Sequence, residues 1–278
     1  MLEVDEFESA FKSAAKEVFR YERIEFNDVL VLTDLDQDGA DQFAAGVQQY
    51  LATIGEANWT VLTGEADSSV DQILEAIESH KPDLICTYRH LHSGAWKWPY
   101  SLGTFVDVII QVAPCPALLL PRPDAKLPAN TDEVSAVTDH LTGDHQLVNC
   151  AVRLTSADGK LYLTHVEDES TFERYIETIG KIPSIDTENA RDVIHKQLLK
   201  EPADYIESVS DVLKTNGVTV KAVKIVATGH HLEEYKRIIL DHGIDLLVMH
   251  GRDVKQVAMH GLAYPLAIEL RETPILLI

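Results

Sequence analysis

The chain states one ordered set of landmarks twice, and that repetition limits the folds open to it. Val29-Leu30-Val31-Leu32-Thr33-Asp34, an apolar run ending in an acid, returns as Val134-Ser135-Ala136-Val137-Thr138-Asp139. Thr63-Gly64, a helical stretch and Pro82-Asp83-Leu84-Ile85-Cys86 are echoed by Thr228-Gly229, a helical stretch and Ile244-Asp245-Leu246-Leu247-Val248. Pro116-Ala117-Leu118-Leu119-Leu120 is answered by Pro274-Ile275-Leu276-Leu277-Ile278, and Gly103 stands as far before Pro116 as Gly261 stands before Pro274. A repeat this long points to two duplicated domains rather than a solenoid of short units.

Between the landmarks, apolar runs alternate with amphipathic stretches. In the first copy, strands are expected at Asp28–Thr33, Trp59–Leu62, Leu84–Thr87 and Ala117–Leu120, with helices at Ala40–Ile54, Ser69–Ser79 and Leu102–Gln111. In the second, strands fall at Val134–Thr138, Leu161–His165, Val218–Val226, Asp245–Met249 and Ile275–Ile278. The helices there fall at Gln146–Leu154, from about 187 to 214, Leu232–Asp241 and Leu262–Arg271. Continuous apolar strands of this kind belong to parallel sheets buried on both faces. The first copy is shorter, and its missing unit falls between the first helix and the Thr-Gly strand. Val4, Phe7, Phe11, Ala14, Val18 and Phe19 share one helical face, so an N-terminal helix is expected to dock on the first domain. The proline-rich run Pro121–Pro128 sets the boundary. Domains are therefore expected over residues 1–124 and 131–278.

Charge narrows the partners. The 278 residues carry 45 acids against 24 bases, a net charge of −21, with no basic stripe. Such a surface repels phosphate backbones and anionic lipids, which argues against nucleic acid and membrane as partners. The acidity fits either solubility or a salty cell interior. No apolar run approaches the roughly 20 residues of a membrane span, and Met1 leads into Leu-Glu-Val-Asp-Glu rather than a basic leader, so a cytoplasmic location is expected. Cys86, Cys115 and Cys150 form no Cys-x-x-Cys pair and read as small buried hydrophobes.

The landmark order resembles a tandem universal stress protein: strand–Asp, Thr-Gly, Asp-Leu-(apolar)-(apolar), a glycine-containing loop, a helix and a terminal Pro-(apolar)₄ strand. The resemblance covers most of the second half and more loosely the first. It implies two tandem doubly wound, Rossmann-like parallel-sheet domains, the first abridged, behind an N-terminal helix. It also implies an adenine nucleotide (ATP, ADP or AMP) at the strands' C-terminal ends. Nucleotide-binding members carry Gly-x-x-Gly, nine residues, then Gly-Ser or Gly-Thr, so that backbone N–H groups and a helix N-terminus meet phosphate. Here Gly251 and Gly261 keep the nine-residue spacing, but Val248 stands in place of the first glycine and Leu262 in place of the hydroxyl. The motif is degenerate. Candidate ligand contacts in the second domain are Asp139, His140, His165, Gly251, Arg252 and Gly261. A sparser set in the first is Asp34, Gly103 and Thr104, beside a loop made bulky by Trp96, Trp98 and Pro99.

Twelve histidines are the other anomaly. His140, His165, His230, His231, His250 and His260 all fall near strand ends of the second domain. They read as hydrogen-bonding loop residues, as ligand contacts or as a metal rim, and no His-x₃-His pair selects the last. No metal ligand set is assigned. There is no Gly-x-Ser-x-Gly elbow and no Gly-x₄-Gly-Lys-Ser/Thr loop, so no catalytic residue is assigned either. Three readings stand. The first is a stress-response binding or signalling protein that holds nucleotide weakly in its second domain and acts on a protein partner. The second is a slow ATPase or metal-dependent hydrolase built on the histidine rim. The third is a ligand-free scaffold. The two wholly apolar last strands are expected to pair as an internal pseudo-dimer, and a homodimer is compatible with the same reading.

Overall fold

The computed structural model describes residues 17–64, 69–93, 100–138, 141–251 and 261–278. The N-terminal half runs β1 (Asp28–Thr33), α1 (Gln37–Tyr50), β2 (Asn58–Thr63), α2 (Val70–His80), β3 (Leu84–Tyr88), α3 (Thr104–Val112), β4 (Ala117–Leu120). The C-terminal half runs β5 (Glu133–Val137), α4 (His145–Leu154), β6 (Lys160–Asp168), α5 (Glu169–Ile179), α6 (Thr187–Thr215), β7 (Lys221–Gly229), α7 (His231–Asp241), β8 (Leu246–Met249), α8 (Ala263–Glu269), β9 (Ile275–Leu277). Part of the acid content starts these helices. Asp36, Asp144, Asp168 and Asp186 each accept a first-turn N–H of α1, α4, α5 and α6, and Ser69 with Gln72 forms a capping box on α2.

The strands form a single nine-stranded sheet in the order β2-β1-β3-β4-β9-β8-β5-β6-β7. Every neighbouring pair is parallel except β4 and β9, which meet antiparallel with Leu118 opposite Leu276. The consecutive residues Val29–Leu32 and Ala117–Leu120 are all buried, so both sheet faces are covered by helices. The outer strands β2 and β7 are only partly buried, and Lys221 and Lys224 guard the β7 edge.

The repeat in sequence is a repeat in hydrogen bonds. Asp83 accepts the N–H groups of Asn27 and Asp28 on one carboxylate oxygen, and Asp245 accepts those of Asp132 and Glu133 in the same way. Ile85 N–H bonds Pro116 C=O and Arg89 N–H bonds Leu120 C=O. Leu247 to Pro274 and Gly251 to Ile278 repeat both steps. Each aspartate thus ties the start of its strand to the first strand of its half.

Three expectations change. First, Thr63-Gly64 and Thr228-Gly229 are not spatial counterparts. Strand β2 lies beside β1, the place β6 takes beside β5, and it is the edge strand β7 that has no counterpart in the N-terminal half. Second, Val18 and Phe19 lie in non-helical chain, and from Phe19 to Ile24 the segment bonds and packs against the C-terminal half rather than the first. Phe19 is buried against the rings of His145 and Tyr205, its N–H reaches Ser208 Oγ, and Asn149 bonds the backbone at Arg20 and Glu22. The expected helix from Val4 otherwise lies outside the described residues. Third, α5 is an element beyond those expected, and it forms a helical hairpin with α6.

Side chains clasp the halves. Arg153 on α4 donates to the carbonyls of Ile24, Thr53 and Ile54 at 2.8, 2.5 and 2.7 Å. Tyr50 on α1 donates to Asp245 C=O at 2.8 Å. Arg89, buried at the end of β3, donates to the carbonyls of Ala267 and Leu270 at the C-terminal end of α8, where the helix dipole favours a cation. Burial, then nearby Arg271, lowers the Arg89 pKa to about 10, and it stays charged at neutral pH.

Candidate functional site

Open parallel sheets offer ligands the crevice where the chain reverses direction, beyond the strands' C-terminal ends. Here those crevices lie between β1 and β3 and between β5 and β8.

In the first, Asp34 follows β1 and each of its carboxylate oxygens accepts a hydrogen bond from the protein. Oδ1 accepts the Tyr88 hydroxyl, and Oδ2 accepts the His92 N–H at 2.8 Å. The Tyr88 oxygen in turn receives the Asp34 N–H and meets Thr33 Oγ1, both at 3.0 Å. Tyr88 is buried edge-on to Phe43, and burial followed by the Asp34 bond raises its pKa well above the ordinary phenol value. The phenol hydroxyl thus bridges the ends of β3 and β1 at this crevice.

The loop after β3 bends sharply. His90 and His92 have φ of 63° and 54°, a left-handed conformation uncommon for side-chain-bearing residues. Gly103 (φ 98°) explains its own identity, because a Cβ there would lie 2.8 Å from His90 Cα. That close approach lets His90 N–H reach Leu102 C=O at 2.7 Å. Gly103 therefore approaches the chain's own backbone. Thr104 opens α3 and is exposed. Burial, then Arg89, lowers the His90 pKa, which favours its neutral form.

In the second crevice, His250 occupies after β8 the place Tyr88 holds at the end of β3, and it too bonds a carboxylate: Nε2 lies 2.6 Å from Asp144 Oδ2. Asp144 keeps its other oxygen on Leu147 N–H, capping α4. Gly251 closes onto the last residue, its N–H donating to Ile278 C=O at 3.0 Å. A Cβ on Gly251 would stand 3.1 Å from Leu277 Cβ and 3.3 Å from Ile110 Cγ2 of the other half. Gly261 meets no such neighbour among the described residues. The space left among Thr138, Met249, His250 and Leu262 is about 10 Å³. Asp139, His140, Arg252 and His260 lie outside the described residues.

The other histidines have separate partners. His231 Nε2 lies 2.7 Å from Val166 C=O, and beside it the buried Tyr235 hydroxyl bridges Thr138 C=O and Val166 N–H across the ends of β5 and β6. His165, buried, has Nε2 3.6 Å from Glu167. His165, His231 and His250 thus each meet a different partner, and no group of three metal-ligating side chains occurs among the described residues. Tyr88, Tyr235 and Asp144 are site residues that the sequence reading does not single out. The available signal is position: Tyr88 and His250 both directly follow the apolar core of a strand whose register Asp83 and Asp245 fix.

One roomier cavity, about 170 Å³, opens at the C-terminal ends of β1 and β2 under α2. A groove of about 490 Å³ runs between α1 and the Arg122–Ala129 segment. No helix among the described residues is long and apolar enough to cross a membrane.

Among solved structures, a universal stress protein from Archaeoglobus fulgidus superposes with a TM-score of 0.55 at 12% identity, covering 91% of this chain and 97% of that one. The fold is that of the universal stress proteins. A functionally unknown protein from Pseudomonas aeruginosa PAO1 matches with a TM-score of 0.53 at 15% identity, covering 91% and 92%. No family model and no curated protein matches the chain.

Proposed function

We propose that the chain is a tandem universal-stress-type protein, with domains over residues 1–124 and 131–278, that binds and signals rather than turns over a substrate. On this reading adenine nucleotide binds weakly, in the second domain, through Asp139, His140, Arg252 and the Gly251–Gly261 loop, and the protein acts in the cytoplasm on a protein partner. The observation that carries the proposal is the engagement of Asp34. One carboxylate oxygen holds the Tyr88 hydroxyl and the other the His92 N–H, so the acid of the first crevice is already committed to the protein's own groups, which favours the second half as the ligand's place. Gly251 already spends its N–H on Ile278, so the second phosphate cradle is incomplete. Loss of one hydrogen bond to a charged group is worth about 1.5–3 kcal/mol, or one to two orders of magnitude in affinity.

The scaffold reading draws on the small space among Thr138, Met249, His250 and Leu262, about 10 Å³ among the described residues, against roughly 300 Å³ or more for ordinary small-molecule sites. Equilibrium dialysis of the purified protein against millimolar ATP, with a metal assay beside it, separates the readings. Saturable uptake of adenine nucleotide supports weak binding, none supports the scaffold, and stoichiometric metal with hydrolytic activity contradicts both.

A further inference from the structure

The stretch α5–α6–β7 is what the C-terminal half carries beyond the N-terminal one, and β7 ends the sheet opposite β2. Its two helices are fixed to each other and to the sheet. Phe172 is buried, with the His195 ring at 5.1 Å and the Arg191 guanidinium 5.8 Å from its ring centre. Arg191 forks onto both carboxylate oxygens of Glu173, and His195 Nε2 lies 2.9 Å from Thr228 Oγ1 on β7. The hairpin is a built surface, yet it leaves apolar side chains in the open. Of the eight large hydrophobic side chains that stand exposed among the described residues, four (Tyr175, Ile182, Ile185 and Val193) belong to it. Helix α6 divides at Pro202. From there on Tyr205, Ile206, Val209 and Leu213 are buried, whereas no residue from Thr187 to Glu201 is. A surface helix ordinarily buries one apolar stripe along its length, and a cluster of exposed apolar side chains marks a protein contact.

Charge, edge and size choose the partner. Two copies that each carry −21 repel one another over most of their surface. Between Glu169 and Lys200, however, six acids face five bases, out of 45 and 24 in the whole chain, so a second copy approaches this face with little penalty. Lys221 and Lys224 guard the β7 edge, which leaves the helices rather than the strand as the contact. The hairpin and the first half of α6 supply roughly the 20–30 residues that each side of a stable interface contributes. We propose that the outer face of the α5–α6 hairpin is a self-association surface, on which a second copy of the chain packs its own hairpin about a two-fold axis. In such an isologous contact one patch serves both subunits, and Tyr175, Ile182, Ile185 and Val193 become covered. The contact adds to the internal β4–β9 pairing and does not depend on whether nucleotide binds.

Sedimentation equilibrium of the full chain tests this, at about 1 to 100 µM, the weak end of the range that interfaces of this size reach. The unmodified protein is expected to rise toward twice its monomer mass across that span, and more steeply in high salt, where the residual repulsion is screened. Tyr175→Glu combined with Ile182→Glu places charges on the face and should weaken association at least tenfold, with the circular dichroism spectrum of the dilute protein unchanged. Ile185→Glu, in the exposed turn, is expected to act in the same direction alone. Leu240→Glu, at an exposed apolar side chain on α7 outside the hairpin, should leave association as it is. An unmodified chain that stays monomeric at 100 µM overturns the inference. So does a dimer that survives both hairpin variants, or one that Leu240→Glu disrupts as strongly as they do.

Discussion

Tyr88 donates its hydroxyl to the carboxylate of Asp34, joining the end of β3 to the end of β1 across the point where ligands enter open α/β sheets. The same oxygen accepts the Asp34 N–H and meets Thr33. Tyr88→Phe keeps the ring and removes all of these contacts. It is expected to cost about 1–3 kcal/mol in urea unfolding, and to free one oxygen of Asp34 without creating tight nucleotide binding. A variant as stable as the parent would show that the hydroxyl network is not what holds the crevice shut.

Arg153 is the second structural test. One guanidinium serves three carbonyls belonging to the N-terminal segment and the turn after α1. Arg153→Ala leaves those carbonyls without their donor and should destabilise the protein by about 2–3 kcal/mol. Because the contact joins the halves, the unfolding transition is expected to broaden or split. A single, unshifted transition would mean that the β4–β9 pairing alone couples them.

That pairing has its own test. Removing residues 275–278 takes away β9 and leaves the apolar edges of β4 and β8 unpaired. Exposed flat apolar edges associate, so the truncated chain should form oligomers by light scattering. A monomeric truncation with unchanged stability would contradict the role assigned to the central pair.

Asp245 gives a pH-dependent outcome. Burial, the largest influence on it, raises its pKa above the usual carboxylate range, although two backbone N–H groups pull the other way. A folded-state pKa above the unfolded value means that the contribution from this group is fully present below the unfolded pKa and is lost as pH rises through the folded one. Asp245→Asn keeps an oxygen for Asp132 and Glu133 and cannot ionise. Its stability relative to the parent should therefore increase as pH rises from about 3 to 6, the span around an ordinary carboxylate pKa, measured by urea unfolding. A relative stability that falls over that span would reverse the assigned sign.

The net charge of −21 predicts a salt response. Self-repulsion among surface acids is screened as ionic strength rises, so the melting temperature should climb between about 0.1 M and 1 M KCl. A flat or falling curve would assign the acids to paired or capping roles alone.

Much of the fold is legible because the sequence repeats residues that repeat a bond. Asp83 and Asp245 stand out before apolar runs since each anchors a strand start, and the two all-apolar terminal strands read as needing a neighbour, which each is to the other. The Thr-Gly echo misleads because a strand's local sequence does not encode its place in the sheet. Val18 and Phe19 mislead because a periodic apolar pattern says that a face is buried but not which surface covers it. Phe19 lies against Tyr205 rather than the first half. At the candidate site, Asp34 is visible as an acid at a strand end, but its occupancy by Tyr88 depends on a contact 54 positions apart and has no local signal.

The central claim is weak nucleotide binding without turnover, confined to the second half, and calorimetry of the full chain with ATP, alongside Asp139→Ala and Gly261→Val, tests it most directly. The account predicts a dissociation constant no tighter than about 0.1 mM, weakened further by either substitution, with no phosphate released. Micromolar ATP binding indifferent to both substitutions, or steady ATP hydrolysis, would contradict it.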